Sequence, residues 1–357
     1  MKHEWRESNG QPYLYVEADN HYDLGVAQGK GMVKQILAAK KMNKFFPLLV
    51  KATPRAFKSV AKKYLPFIPE KYQDEIRGMA DGASEASGKK ISFDDILVQS
   101  LALEVLYGHY NFDPAIINKL KKFQACTCFG VVNQDGSVVM GQNYDAAAST
   151  VDSICWVLHK LEGEPMVFSA RLGAVPAMPV GKNEYGLAMV VNVIISNQTA
   201  PVMTPRFVRT REAFATCKTA QEAYKVMYAD DAFPFSLNML ISDSQKVIGV
   251  QIRPDEVRPN YVKNTLVQAN KYDFVDWQQY LRDPEYALER YVRAEELLCK
   301  AYNTADHVTN AMLLDIMRDS PIICRDDPGA TGVTVAFMTR ESFGMGNARG
   351  NVGKIPL

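Results

Sequence analysis

The stretch from residue 125 to 145, ACTCFGVVNQDGSVVMGQNYD, constrains the fold of this chain more than any other segment. Cys126 opens a β-branched, apolar run, Gln134-Asp135-Gly136 form a turn, and a second run leads into Gln142-Asn143-Tyr144-Asp145. Two such runs around an Asp-Gly predict a β-hairpin. A hairpin returns the end of its second strand to the start of its first, so Asp145 is expected beside Cys126. A cysteine at a strand start with a carboxylate folded back to it is a candidate nucleophile with an orienting group.

A free thiol has a pKa of about 8.5 and needs a base or a positive charge nearby to react at neutral pH. The five histidines, His3, His21, His109, His159 and His307, share no motif with Cys126. A Cys-His pair made in the fold stays open. The other solution is cleavage of the bond before Cys126, which would turn its own α-amino group, with a pKa of about 7.7 to 8.0, into the base. Standing alone, Cys126 is equally well read as a buried strand cysteine, the ordinary place of a free thiol, and Asp145 as a turn aspartate.

Composition sets limits on the alternatives. The chain has 357 residues, 47% hydrophobic and 23% charged, which is globular with ample material for a core. A net charge of +1 gives no electrostatic case for nucleic acid or an anionic membrane. No apolar run reaches the roughly 18 residues of a membrane span. The N-terminus lacks the apolar core of a secretory signal. The expectation is a cytoplasmic protein, or a secreted or periplasmic one whose signal has been removed. Six cysteines, Cys126, Cys128, Cys155, Cys217, Cys299 and Cys324, show no disulfide framework. Cys126 and Cys128 form C-x-C, but zinc needs three or four ligands and no second Cys/His cluster follows. No metal and no cofactor are expected. A homo-oligomer is compatible with this composition.

The chain changes character near residue 120. From Asp23 to Tyr110 the periodicity is mostly helical, interrupted at Pro47, Pro54, Pro66 and Pro69. Ser92-Phe93-Asp94-Asp95 resembles a capping box. Residues 111 to 125 form a polar, Lys-bearing approach to Cys126. Beyond it strands dominate: 126 to 134, 137 to 143, 154 to 161, 165 to 171 and 187 to 195. Helix follows at 205 to 229, strands at 237 to 243 and 247 to 252, helix at 273 to 302 and 305 to 318, and strands at 332 to 338 and 342 to 347. TLVQAN, ending at Asn270, also reads as a strand. This order implies helices covering antiparallel sheets, an α+β architecture.

Several motifs in fixed order resemble the penicillin acyltransferase-like branch of the N-terminal-nucleophile hydrolases. They are C-T at 126, N-Q-D-G-S at 133, G-Q-N-Y-D at 141, N-x-x-G-L-A-M-V-V-N at 183 to 192, V-Q-A-N at 267 to 270 and G-A-T at 329 to 331. Upstream, H-Y-D-L-G-V-A-Q-G at 21 to 29 and E-I-R-G-M-A-D-G-A at 75 to 83 resemble the family's helical segment. The chain is more distantly similar to bile salt hydrolases and penicillin V acylases. The resemblance covers nearly the whole chain and implies a four-layer αββα sandwich. It implies an N-terminal, mainly helical segment, 1–125, released as one fragment, and a core, 126–357, as the other, the two staying associated.

The resemblance also implies roles. Cys126 would be the nucleophile, freed by cleavage between Ala125 and Cys126; Ala125 stands where fungal members of the branch have glycine. Asp145 would hold the new amine. Asn192 and Asn270 would polarise the reacting carbonyl and bind the oxyanion, a role worth about 3 kcal/mol per donor. Cys128 is read as structural. Gln142, where bile salt hydrolases carry arginine, sides with the acyltransferase branch and is placed with Tyr144 and Arg253 in substrate binding. Arg206 and Arg325 are further candidates, since a guanidinium fork suits a carboxylate. The expected activity is hydrolysis of a linear amide, an N-acyl amino acid or related acid-bearing amide, through a thioester. Two alternatives stand: acyl-coenzyme A-dependent N-acyl transfer, and a noncatalytic or unprocessed homologue that only binds.

Overall fold

Among the described residues fifteen strands build two sheets, and their order brings residues distant in sequence to one seam. The computed structural model describes residues 1–110, 124–146, 148–229, 232–281, 285, 287–324, 334–338 and 342–357. The approach to Cys126 through residue 123, the G-A-T motif and Arg325 lie outside the described residues.

The chain opens with a hairpin, β1 (Lys2–Ser8) and β2 (Gln11–Ala18), that the helical reading of this half did not include. Its turn is Asn9-Gly10, with φ of 49° and 77°, the left-handed pair that a tight hairpin requires. Helices follow: α1 (His21–Gly31), α2 (Val33–Asn43), α3 (Pro54–Lys62), α4 (Glu70–Ser87) and α5 (Phe93–Ser100). Ser92 caps α5 in a capping box with Asp95. The two upstream family motifs are the two sides of the α1–α4 crossing. A Cβ at Gly25 would collide with the Glu75 carbonyl, and one at Gly78 with the Tyr22 carbonyl. Small residues therefore let these backbones touch. A π-helical turn, Glu104–Tyr110, ends this half.

β3 (Gln124–Val132) and β4 (Val138–Ala146) form the hairpin predicted around Asp135-Gly136. Next come β5 (Ile154–Leu161), β6 (Val167–Leu172), β7 (Gly181–Asn183) and β8 (Ala188–Val193). The helical stretch at 205 to 229 is two helices, α6 (Arg206–Thr216) and α7 (Ala220–Met227), divided where Thr219 caps the second. β9 (Leu237–Ser242) and β10 (Val247–Arg253) are followed by β11 (Glu256–Tyr261) and β12 (Thr265–Ala269). The helix predicted from 273 to 302 is a 3₁₀ segment, Val275–Tyr280, and then α8 (Leu288–Thr304). α9 (Asn310–Met317), β13 (Thr334–Met338), β14 (Ser342–Gly346) and β15 (Val352–Pro356) complete the described chain.

The larger sheet runs β1-β2-β5-β6-β7-β8-β9-β10-β11 and the smaller β12-β3-β4-β13-β14-β15. All neighbours are antiparallel except β2 and β5. β3 and β4 pack on β8 and β9 of the facing sheet, α6 and α7 lie against β7, β9 and β10, and α8 and α9 lie against β12, β3, β4 and β13. The result is the four-layer αββα sandwich. Its main core includes Met140, Val157, Phe168, Met189, Leu240 and Ile248, all buried, and continues into Leu24, Ile76 and Leu97 of the N-terminal helices.

Candidate functional site

Cys126 sits near the start of β3, on the strand next to β12 and β4. In the ladder it lies opposite Tyr144, while Ala125 lies opposite Asp145. Cys126 and Asp145 therefore meet across the strand pair, as the hairpin predicts. Both are almost wholly buried. β12 ends at Ala269, so Asn270 falls just beyond Thr127's partner, level with Cys126. Its Oδ1 accepts the Cys126 main-chain N–H at 2.8 Å, and its Nδ2 donates to the Val193 carbonyl at 2.8 Å.

One further residue converges here that the sequence reading did not single out. Arg290, on the first turn of α8, donates from Nη1 to the Cys126 carbonyl at 2.6 Å and to Thr127 Oγ1 at 3.0 Å. Its Nη2 donates to Asn270 Oδ1 at 3.0 Å. Asn270 and Arg290 thus grip the main chain of Cys126 from both sides.

Burial pushes the Cys126 thiol up to about 12, and the Asp145 carboxylate adds to the rise. The Arg290 guanidinium and hydrogen bonds from the Asn270 side chain and the Asp145 main chain act against it. At neutral pH the group is a thiol, so chemistry at this sulfur requires a base placed beside it.

A narrow, mainly apolar cleft opens on this sulfur. It is lined by Cys126, Tyr144, Asp145 and Asn270, by Leu103, Tyr107, Met178 and Ile195, by Val191 and Val193, and by Arg206. Leu103 and Tyr107 come from the N-terminal half, so the cleft is built from both sides of Cys126. The Tyr144 hydroxyl is pushed up by burial and by the Cys126 thiol, against the pull of Arg206.

Other sequence candidates lie elsewhere. Asn192 is fully buried: its Nδ2 donates to the Gln268 carbonyl at 2.9 Å, and its Oδ1 accepts from the Cys128 thiol at 3.1 Å. Val191 and Val193 on either side of it line the cleft, and Asn192 does not. Gln142, opposite Cys128 in the ladder, is buried and donates to the Val191 carbonyl. Arg253 is bound to Asp255 at 2.8 Å and stacked on Tyr280 at 4.0 Å, away from the cleft lining. Cys128 is sealed from solvent and its thiol is pushed well up, chiefly by burial. Among the described residues no three His, Cys, Asp or Glu side chains converge as a metal site would require.

Fold and cleft together describe an αββα protein with a buried thiol gripped at its main chain. The family model described as acyl-coenzyme A:6-aminopenicillanic acid acyl-transferase matches residues 131–337, more than half of the chain, and the protein belongs to that family. This places it in the penicillin acyltransferase-like branch of the N-terminal-nucleophile hydrolases. The match begins after Cys126. An uncharacterized protein of Archaeoglobus fulgidus is 28% identical over 153 residues, covering 38% of this chain. The chain spans about a quarter of that relative's length, 25%. The Caenorhabditis elegans N-acylethanolamine-hydrolyzing acid amidase ortholog is structurally similar with a TM-score of 0.49 and 13% identity, over 60% of this chain and 93% of that one. Among the described residues no helix is long and apolar enough to cross a membrane.

Proposed function

We propose that the protein is an autoprocessed N-terminal-cysteine amidohydrolase acting on a linear amide, an N-acyl amino acid or related acid-bearing amide. The observation that carries this reading is the grip on the Cys126 nitrogen. The atom that would become the catalytic amine is already held by Asn270 Oδ1, beside a thiol whose high pKa demands a base.

Maturation begins with attack of the Cys126 sulfur on the Ala125 carbonyl. The C–N bond breaks, the nitrogen takes the thiol proton, and a thioester joins Ala125 to the sulfur. Water cleaves the thioester, giving the Ala125 carboxylate and a free Cys126 thiol and α-amine. In turnover that amine takes the thiol proton, and the sulfur adds to the substrate carbonyl. The ammonium returns the proton to the departing amine, leaving an acyl thioester. Water, deprotonated by the same amine, releases the acid. Asp145 orients and stabilises the ammonium. Asn270, whose side-chain amide hydrogen-bonds to the Cys126 sulfur, takes the oxyanion role. Asn192 stands behind it, fixing Cys128 and the β12 main chain, and Arg290 holds Asn270 and Cys126 in register. Tyr144 lines the substrate cleft.

The acyl-transferase description of the family favours a second reading at the last step only. An amine acceptor in place of water would make the same thioester an intermediate of N-acyl transfer.

The test is intact mass under denaturing conditions with a matched activity assay. Active protein should consist of residues 1–125 and 126–357, and Cys126→Ala should remain one chain and inactive. A fully active preparation of a single uncut mass would sink the processing step. Adding an amine acceptor to the assay separates hydrolysis from transfer by product.

A further inference from the structure

The cleft contains a buried cation that the proposed reaction does not use. Arg206 opens α6, is 1% exposed and lines the same cleft as Cys126. Burying a guanidinium costs several kcal/mol unless it is paired. Among the described residues none accepts a hydrogen bond from this guanidinium, and its Nε is sealed from solvent without an acceptor. Its neighbours are the Phe235 ring at 5.8 Å and the Glu104 carboxyl. Glu104 does not close the gap: its Oε1 accepts the Arg206 main-chain N–H at 3.0 Å, and its Oε2 has no partner. Burial pushes the Glu104 acid upward, which weakens it as a counter-ion. Leu103, Tyr107, Met178, Val191, Val193 and Ile195 give the cleft an apolar or aromatic wall, and its other polar groups, Asp145 and Asn270, stand at the Cys126 end. Tyr144 lines the cleft together with Cys126 and Arg206, so the two functions share it.

We infer that Arg206 is the receptor for a carboxylate on the substrate, and that the cleft selects a monoanionic amide with an apolar acyl group. A carboxylate can accept two parallel N–H bonds from the fork, satisfying donors for which no described residue supplies an acceptor. Arg253, the other arginine suggested by the sequence, is already held by Asp255. The inference rests on the amidase reading for which bond is broken, but not for the binding of the anion.

Binding to the Cys126→Ala protein tests it without turnover. The probes are N-acetyl-, N-octanoyl- and N-palmitoyl-glycine, each against its methyl ester, by calorimetry. The acid of at least one pair should bind roughly 10- to 100-fold tighter than its ester, the ratio expected of one charged hydrogen-bonded contact. Adding Arg206→Met should bring the acid down to the ester and leave the ester within a few-fold. Glu104→Gln, which keeps the acceptor for the Arg206 main chain, should increase the preference for the acid; it serves also if Arg206→Met does not fold. Equal binding of acid and ester, binding of neither, or an unchanged preference in both variants overturns the inference. Wild-type release of the fatty acid is read separately. A protein that selects the acid through Arg206 but releases nothing retains this inference and loses the amidase reading.

Discussion

At the scale of single residues, Asn270 and Arg290 are the groups whose removal should separate positioning from packing. Asn270→Ala removes both the acceptor for the Cys126 nitrogen and the amide donor beside its sulfur. Processing should slow, and in molecules that do become cut kcat should fall by roughly 10²-fold or more with little change in KM, since an oxyanion donor acts mainly in the transition state. A cut, folded Asn270→Ala protein with near wild-type kcat would remove the oxyanion role. Arg290 acts through charge as well as contact. A guanidinium beside the Cys126 main chain disfavours a second positive charge on its α-amine, so Arg290→Met should move the acid limb of the kcat/KM profile, which reports that amine as base, to higher pH. Arg290→Lys keeps the charge and should restore the limb's position, but not the full rate, because the fork to Cys126, Thr127 and Asn270 is lost. A profile that does not move in Arg290→Met would make its role structural.

The same residues show what the sequence could disclose. The meeting of Cys126 and Asp145 was legible, because a hairpin is local and its turn residues are explicit. Arg290 was not. It is 164 positions from Cys126, in a helix whose pattern reads as an ordinary half-exposed face. Asn192 carried a motif match, but a motif cannot tell which buried partner an amide will find; here it is Cys128 and Gln268.

Among the elements, the N-terminal hairpin and β11 were the least visible. β1 is a sheet edge with its side chains largely exposed, so no apolar alternation marks it; only Asn9-Gly10 does. β11 is the opposite edge and carries Pro259, which argues against a strand on pattern alone. The α1–α4 crossing brings a charged cluster to the large sheet. His21 on α1 reaches Glu75 of α4 and Glu164 beyond β5, both at 3.4 Å, with the Tyr72 ring edge-on. Arg211 of α6 joins both carboxylates and donates to His159 Nε2 at 3.1 Å, while Arg171 of β6 approaches His159 Nδ1 at 3.1 Å. Burial opposes protonation of His21, but Glu164 and Glu75 outweigh it and raise its pKa from 6.5 to about 8. Its stabilisation is fully present below about 6.5 and is lost as pH rises through about 8, a change of roughly 2 kcal/mol. Burial, then Arg211 and Arg171, hold His159 well below its ordinary value, so stability also falls as pH drops below about 6.5, where the unfolded imidazole takes a proton. Urea unfolding against pH should therefore show losses on both sides. His21→Gln should flatten the loss between 6.5 and 8 and leave the acid limb. The Cys126 thiol, also raised, acts above this window in both proteins. Persistence of the full loss between 6.5 and 8 in His21→Gln would mean that another group titrates there.

For the whole molecule, the consequence of the fold is that cutting at Cys126 should not release anything. Residues before the cut supply β1 and β2 of the large sheet, with β2 paired directly to β5. Ser8 and Asn9 bond to the Lys354 and Val352 carbonyls of β15, and Lys354 N–H returns a bond to Ser8. Gln99 and Ser100 bind the main chain of Ala174, and the Gly108 carbonyl accepts from Ala200. The buried His21–Glu75–Arg211–Glu164 cluster also crosses the divide. One apolar core continues through both parts, so separating them would expose surface as costly as unfolding. Fully cut protein should therefore elute under native conditions at the size of the uncut Cys126→Ala protein and split only in denaturant, with activity and association lost in one transition. The cleft gives the same dependence a catalytic form, because Leu103, Tyr107 and the carboxyl beside Arg206 come from the first fragment. A chain beginning at Cys126 and produced alone should have no activity until residues 1–125 are added back during refolding. If that shorter chain were soluble and active by itself, the N-terminal segment would be a separate cover rather than part of the sandwich and the site.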